Sequence, residues 1–262
     1  FKNSPSISIS DSLIKVSIGN GAKNAIGLGK SYVMKPISKS YYSIGKYYKT
    51  YNLAEKQLVH YIGNSCIPVL TDNGWTIYIT TDSKISKNGM TKVATGANAV
   101  VLSVNGYNKF IVDGSASARV STNNDVVNLT KSKYRGEIAM YVNNSTITPI
   151  NFVDMEQYLY SVVPSEMPGS WSVEALKAQS VAARTYTTNS LGKHGVYDLC
   201  DTVHCQSYNG INLLMRFIFL LTVVQPFLQK MFGIMPSHIL LVKKIITKRI
   251  VKSGREYLHI LI

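Results

Sequence analysis

Two groups of side chains in this sequence have the types and spacing that chemistry needs. The first is Glu166, in Pro164-Ser-Glu-Met-Pro168. A proline on each side fixes the local φ and removes backbone donors, so these residues predict a stiff, irregular loop that presents one carboxyl group to a cleft. A carboxyl so held does acid/base work if its neighbours raise its pKa, and Val163, Met167 and Trp171 are the apolar residues at hand to desolvate it. The competing reading has Glu166 capping the following helix or pairing with Arg184. Glu156 and Glu174 are the other nearby acids, and Glu174 is explained as a first-turn helix residue. The second group is His194-x5-Cys200-x3-His204-Cys205. Two imidazoles and two thiols in one short stretch form a dense set of borderline and soft metal ligands, although the spacing is not that of a standard zinc finger. A Cys200–Cys205 disulfide, or free thiols beside solvent-facing imidazoles, are the alternatives. Four protein ligands would close the coordination sphere, making a metal here structural, and it would pin the loop that carries Gln206 and Tyr208.

The elements that must position these groups follow from periodicity. Residues 1–125 read as β: Ser6-Ile-Ser-Ile-Ser, Leu13-Ile-Lys-Val-Ser-Ile, Thr76-Ile-Tyr-Ile-Thr, Ala99-Val-Val-Leu-Ser-Val and Lys109-Phe-Ile-Val carry strand-type apolar patterns bounded by Asn, Gly or Asp. Tyr41, Tyr42, Tyr47, Tyr48 and Tyr51 fit half-buried strand positions, or an aromatic surface able to hold sugars. A strand pair is predicted over 138–142 and 146–150, joined by Asn143-Asn-Ser. A short helix over 154–162 comes next, with Met155, Tyr158, Leu159 and Val162 at helical spacing. A longer helix spans 172–190, with Ser172 as N-cap, Glu174 in the positive first turn, Gly192 past its end and several alanines for close packing. The fold class is α+β.

The run Tyr158-Leu-Tyr-Ser-Val-Val-Pro-Ser-Glu-Met-Pro, then Trp171, then Glu174-Ala-Leu-Lys-Ala-Gln-Ser-Val-Ala-Ala-Arg-Thr-Tyr resembles the core motif of the SpoIID/LytB family. The likeness extends from Tyr134-Arg-Gly through Cys205-Gln-Ser-Tyr-Asn-Gly. It implies a β-rich N-terminal region over 1–125 and a SpoIID-like α+β catalytic core over 126–210. It also implies an exported protein of the cell wall or the outer face of the cytoplasmic membrane, acting on peptidoglycan glycan strands. Sporulation members are lytic transglycosylases, which are peptidoglycan lyases; LytB members are described as enhancers of a cell-wall amidase, a non-catalytic alternative. By this resemblance Glu166 is the catalytic acid and base. It protonates the leaving oxygen and then accepts the proton of the muramic acid 6-hydroxyl, so that one carboxyl suffices where hydrolytic glycosidases use two. Lys177, Gln179, Arg184 and Tyr186 line or brace the site; helical geometry keeps them off a single face, and Gln179 and Arg184 are assigned to substrate with Gln206 and Tyr208. Some sporulation members bind zinc through such a His/Cys set, and His194, Cys200, His204 and Cys205 are all kept here.

Beyond Gly210 the text changes. Family members carry Ser-Ser-x-Gly-Gly, a Trp and Pro-Tyr-Leu there, and none is present. Taking the last base of each codon with the first two of the next makes residues 214–249 compatible with a family-like run, so 211–262 is expected to be an out-of-frame, basic and apolar tail that leaves the core incomplete and its activity in question. The alternative is a genuine basic tail for a membrane surface. In that stretch eight Lys or Arg residues face only Glu256, within a chain of net charge +14. The balance suits an anionic partner such as a wall or membrane surface. No RNP, finger or helix-turn-helix pattern is present, so nucleic acid is not expected. Nothing resembles His-Glu-x-x-His, which counts against a zinc hydrolase. Three cysteines make no disulfide framework, and Cys66 reads as a small buried hydrophobe. The chain opens at Phe1 without Met and reads as a mature product or a fragment, so the lack of a leader carries no information on compartment. The best apolar run, 217–224, is too short to span a bilayer.

Overall fold

The computed structural model describes residues 13–211 apart from 20, 62–64, 85, 124, 130–131 and 169–170. The expected strand at 6–10 and the tail over 212–262, with the frame shift read into it, lie outside the described residues. In chain order the elements are β1 (Ile14–Ser17), β2 (Ile26–Leu28), β3 (Tyr32–Pro36), β4 (Ser40–Ser43) and α1 (Tyr51–Gln57), which runs into a 3-10 turn, Leu58–Tyr61. Then come β5 (Cys66–Thr71), β6 (Gly74–Thr80), β7 (Thr91–Ala94), β8 (Val100–Val104), β9 (Tyr107–Val112) and β10 (Ala118–Val120). The remainder is β11 (Val126–Leu129), β12 (Ser132–Arg135), β13 (Glu137–Asn143), β14 (Thr146–Val153), α2 (Met155–Glu166), α3 (Val173–Ser190) and β15 (Leu199–Cys200). This is a strand-rich mixed fold, in line with the α+β expectation.

The strands form a five-stranded sheet, β10-β13-β14-β1-β15, and a ten-stranded sheet, β12-β11-β2-β3-β8-β9-β5-β6-β4-β7. In the larger one, β3 runs on into β4 through 37–39; β3 pairs with β8 and β4 with β6, so these strands curl round a core of Tyr41, Ile67, Val69, Tyr78, Val101 and Ile111. The boundary expected at 125 is not respected by the pairing. β1 lies between β14 and β15 in the smaller sheet, because its alternating Ile14 and Val16 are buried against that core. β11, from beyond 125, pairs with β2 and with β12 in the larger sheet. One continuous core joins both, from Val16, Met34 and Leu102 to Met140, Tyr158, Leu159, Val162 and Ala183. The all-β reading of 1–125 also misses α1: Thr50 caps it by accepting the Leu53 amide. Tyr51 there is no strand residue but packs edge-on against Trp75 and Phe110, at ring distances of 5.1 and 5.7 Å.

The β13–β14 hairpin, predicted as a strand pair, closes in register Asn143↔Thr146 over a two-residue turn with Asn144 at φ 53°. It leads directly into α2, whose N-cap Asp154 accepts the Glu156 amide at 2.8 Å. The helix does not stop near 162, as expected, but continues through Pro164 to Glu166. Proline costs a helix one N–H and a clash with the carbonyl four residues back. At the last turn that cost is small, because Tyr160, four residues back, is exposed. α3 begins after Ser172, which accepts the Ala175 amide as the sequence predicts. Of its alanines only Ala183 is buried, and Val181 and Tyr186 are exposed, so α3 packs by a narrow stripe rather than by a broad alanine face.

Gly136 shows why the Tyr134-Arg-Gly motif ends in glycine. Its φ is +79°, and a Cβ there would lie 2.1 Å from the Phe152 carbonyl oxygen of the paired strand. Gly136→Ala is therefore expected to destabilise the protein by about 2–4 kcal/mol in chemical denaturation; a loss under ~0.5 kcal/mol would contradict this packing.

Candidate functional site

The two ends of the family-like segment meet in space. Tyr208 is buried and stacks at a tilt on Tyr158 of α2 (5.0 Å) and Tyr134 of β12 (5.8 Å). Its hydroxyl donates to Asn151 Oδ1 at 2.7 Å, and Asn151 Nδ2 in turn donates to the carbonyls of Arg135 (2.8 Å) and Glu137 (3.0 Å). Burial pushes the Tyr208 phenol well above its ordinary range. Gly210 at φ +76° lets the chain pass the Lys133 carbonyl, which a Cβ would approach to 2.4 Å. Gln206 is equally inward: its Oε1 accepts from Tyr158 Oη (3.0 Å) and Thr187 Oγ1 (2.9 Å), joining α2 to α3. Gln206 and Tyr208 were expected to touch substrate. Both are buried with their polar atoms engaged inside the protein, so here they hold the loop rather than face a ligand. The polar-in-sequence look of Gln-Ser-Tyr-Asn concealed an alternation in which 206 and 208 point inward.

The residues between them do the opposite. The Ser207 amide donates to Glu166 Oε1, and Asn209 Nδ2 donates to Ser165 Oγ at 3.1 Å. Glu166 thus sits at the C-terminal end of α2, exposed, with its carboxylate gripped by one backbone N–H of the 201–210 loop. It does not lie on an irregular loop. Nor does it cap α3, whose cap is Ser172, or pair with Arg184, which bonds Glu156. Glu174 is held by Lys177 at 2.8 Å. Among the described residues Glu166 is the acid of this helical pair with no cation partner. Of the apolar residues expected to cover it, Trp171 is 55 % exposed. Gln179 lies half-buried on α3, and Arg184 ties α3 to α2; neither is brought into hydrogen-bonding contact with Glu166. Ser207, Asn209, Thr187 and Asn151 were missed by the sequence reading, because nothing in their spacing marks a backbone amide or a buried bracket.

The His/Cys group does assemble. The ligand atoms of His194, His204 and Cys205 all lie within 4.8 Å of one another. Cys205 Sγ is 3.3 Å from His194 Nε2 and 3.4 Å from His204 Nδ1; Cys200 Sγ is 3.1 Å from Cys205 Sγ and 3.6 Å from His204 Nδ1. A tetrahedral zinc ion with bonds of about 2.3 Å to sulfur and 2.0–2.1 Å to nitrogen spaces its ligand atoms roughly 3.3–3.8 Å apart. His194, His204 and Cys205 stand at distances such an ion would set, whereas Cys200, 3.1 Å from Cys205 Sγ, lies outside that group of three; both cysteines are free thiols. The framework comes from β1. Asp198 Oδ2 accepts the Lys15 amide at 2.8 Å, and its Oδ1 accepts that of Gly192 at 2.8 Å. Asp201 Oδ2 accepts the Gly19 amide at 2.7 Å. His194 stacks on Tyr197 at 5.2 Å.

Burial works against the Cys200 thiolate, but hydrogen bonds from Thr202, Cys205 and His204 outweigh it and bring the thiol down to about 7. Burial pushes Cys66 the other way. A thiol whose pKa is lowered is reactive from that pKa upward. Iodoacetamide should therefore label metal-free Cys200 with a half-maximal rate near pH 7 and leave Cys66 largely unlabelled there. Equal labelling of both at pH 7, read by peptide mass spectrometry, would contradict the geometry.

Comparison with known proteins falls on this region. A family model, SpoIID, stage II sporulation protein, matches residues 143–218. An uncharacterised protein of Brachyspira hyodysenteriae is 37% identical over 89 residues, covering 33% of this chain and 24% of that protein. The amidase enhancer of Bacillus subtilis is 52% identical over 52 residues, 20% of this chain and 7% of that protein. This chain thus spans a quarter or less of the length of either relative. No solved structure matches it significantly. Every residue of the Glu166 contact and of the His/Cys cluster falls inside the matched segment, and over that segment the chain is similar to the SpoIID/LytB family.

Proposed function

We infer that this chain acts on the bacterial cell wall and that its site is that of a lytic transglycosylase, with Glu166 as the acid and base at a glycosidic bond of peptidoglycan. The observation that supports this most is the isolation of one exposed carboxylate, oriented by the Ser207 amide, while Glu156 and Glu174 are each neutralised by a cation. A single carboxyl can protonate the bridging oxygen as the C–O bond breaks. It then takes the proton of the 6-hydroxyl as that oxygen closes on the anomeric carbon, giving a 1,6-anhydro end without water. Gln179 and Arg184 are the side chains of α3 assigned to sugar contacts. His194, Cys200, His204 and Cys205 are assigned to a structural zinc ion. A bound ion would supply a cross-link in the loop that carries Ser207, two positions past Cys205, to Glu166.

A second reading, an enhancer of a cell-wall amidase that performs no chemistry itself, is favoured by the relative that bears that description. Incubation with purified sacculi separates the two. Soluble glycan fragments released by this protein alone support the transglycosylase. Release only of stem peptides, and only when an amidase is present, supports the enhancer and refutes the enzyme.

A further inference from the structure

We propose a second glycan-binding site, remote in sequence from Glu166, on the curled sheet: the tip formed by Tyr32 and Tyr107. Tyr32 pairs in register with Val104, and Val104 with Tyr107, so the three side chains stand on one face of three successive strands, β3, β8 and β9. Adjacent strands lie about 4.8 Å apart, which sets the two tyrosines roughly 10 Å apart, about the length of a disaccharide, with Val104 as floor between them. Tyr107 is 77% exposed and Tyr32 48%, each the first residue of its strand, so both rings stand open to solvent at the tip. The pair is fixed rather than floppy: Asn105 and Gly106 take left-handed φ in the two-residue turn between β8 and β9, and the Asn105 amide bonds the Ser31 carbonyl of the neighbouring turn at 3.0 Å. Preset rings lose little freedom on binding, and the C–H faces of pyranose rings stack on them.

Charge identifies which glycan. Between Asp11 and Glu55, and again between Asp82 and Asp113, the sequence holds no acid, yet each stretch carries several lysines. Lys30 lies in the turn before Tyr32 and Lys109 just beyond Tyr107, both exposed. A glycan strand bearing anionic stem peptides meets both demands, sugar faces for the rings and carboxylates for the lysines. This assignment takes its ligand class from the cell-wall reading above but not its chemistry from Glu166.

The test is co-sedimentation with purified sacculi at ~0.15 M salt, where long-range attraction is screened beyond about 8 Å. The double variant Tyr32→Ala/Tyr107→Ala should need about tenfold more sacculi for half-binding, with an unchanged melting temperature, and Tyr32→Phe/Tyr107→Phe should bind as the parent does. Tyr-dependent binding without any cleavage would leave this site standing and remove the enzyme reading; cleavage with Tyr-independent binding would do the reverse. The proposal is overturned if the alanine pair binds as the parent does. It is overturned equally if binding disappears once phosphodiester polymers are stripped from the sacculi, or if anionic lipid vesicles bind the parent as well as sacculi do.

Discussion

Glu166→Gln should reduce glycan-strand cleavage at least 100-fold while leaving the fold intact. General acid and base assistance contributes about 10²–10⁴ to rate, and here one group supplies both halves of the cycle. The amide has the shape of the carboxyl and keeps a carbonyl oxygen for the Ser207 N–H, but it has no proton to give to a leaving sugar oxygen. Because the residue is exposed and ion-paired with nothing among the described residues, its melting temperature should shift by under ~1 °C. Glu156→Gln is the informative comparison. It removes the charge that pairs with Arg184 across α2 and α3 while leaving an acceptor oxygen, so its effect should appear in stability, by an amount typical of exposed pairs, below about 1 kcal/mol, and activity should fall much less. If Glu156→Gln proved the dead variant and Glu166→Gln the active one, the assignment of roles would be reversed.

Metal removal carries the second large effect. With free zinc about 1,000-fold above its dissociation constant, a bound ion adds about 4 kcal/mol to stability, and for a chain of this size that corresponds to roughly 8–16 °C in melting temperature. A chelator, or Cys205→Ser, should remove that increment together with one equivalent of zinc measured by mass spectrometry. Cys205 is the sensitive position because its sulfur lies within 3.4 Å of Cys200, His194 and His204. Activity should fall in parallel, since the freed loop carries the amide that orients Glu166. Cys66→Ser is the control: that thiol only approaches the Tyr61 carbonyl at 4.0 Å, and its loss should leave the zinc content unchanged. A protein that melts at one temperature with and without chelator would exclude a structural ion.

How much of this was visible in the sequence depends on whether the determining interaction is local. Ser172 as a cap and the β13–β14 hairpin are set by residues close in the chain, and they stand where the spacing predicts. What failed was non-local. β1 pairs with β14 and β15 in the smaller sheet, and Asp198, some 180 positions later, accepts its Lys15 amide; the alternation within residues 13–18 marks a strand but not its partners. Gln206 and Tyr208 look like ligand residues until Tyr158, Thr187, Asn151 and the Ala183 carbonyl are seen to engage their side-chain polar atoms. Pro164 suggested a helix end and was instead absorbed in the last, solvent-facing turn of α2. Glu166 was found by its setting, but its orienting partner is a backbone amide, which side-chain types do not reveal.

The account rests on intramolecular closure at the cut sugar, and isotopic water reads that step directly. Sacculi should be digested by this protein in water enriched in oxygen-18 and the new glycan ends weighed. Ends that are anhydro sugars free of the label, formed by the parent and absent with Glu166→Gln, are the predicted result. Reducing ends carrying one heavy oxygen would mean that water is the acceptor, and no new ends at all would mean that the carboxyl is not catalytic; either contradicts the account.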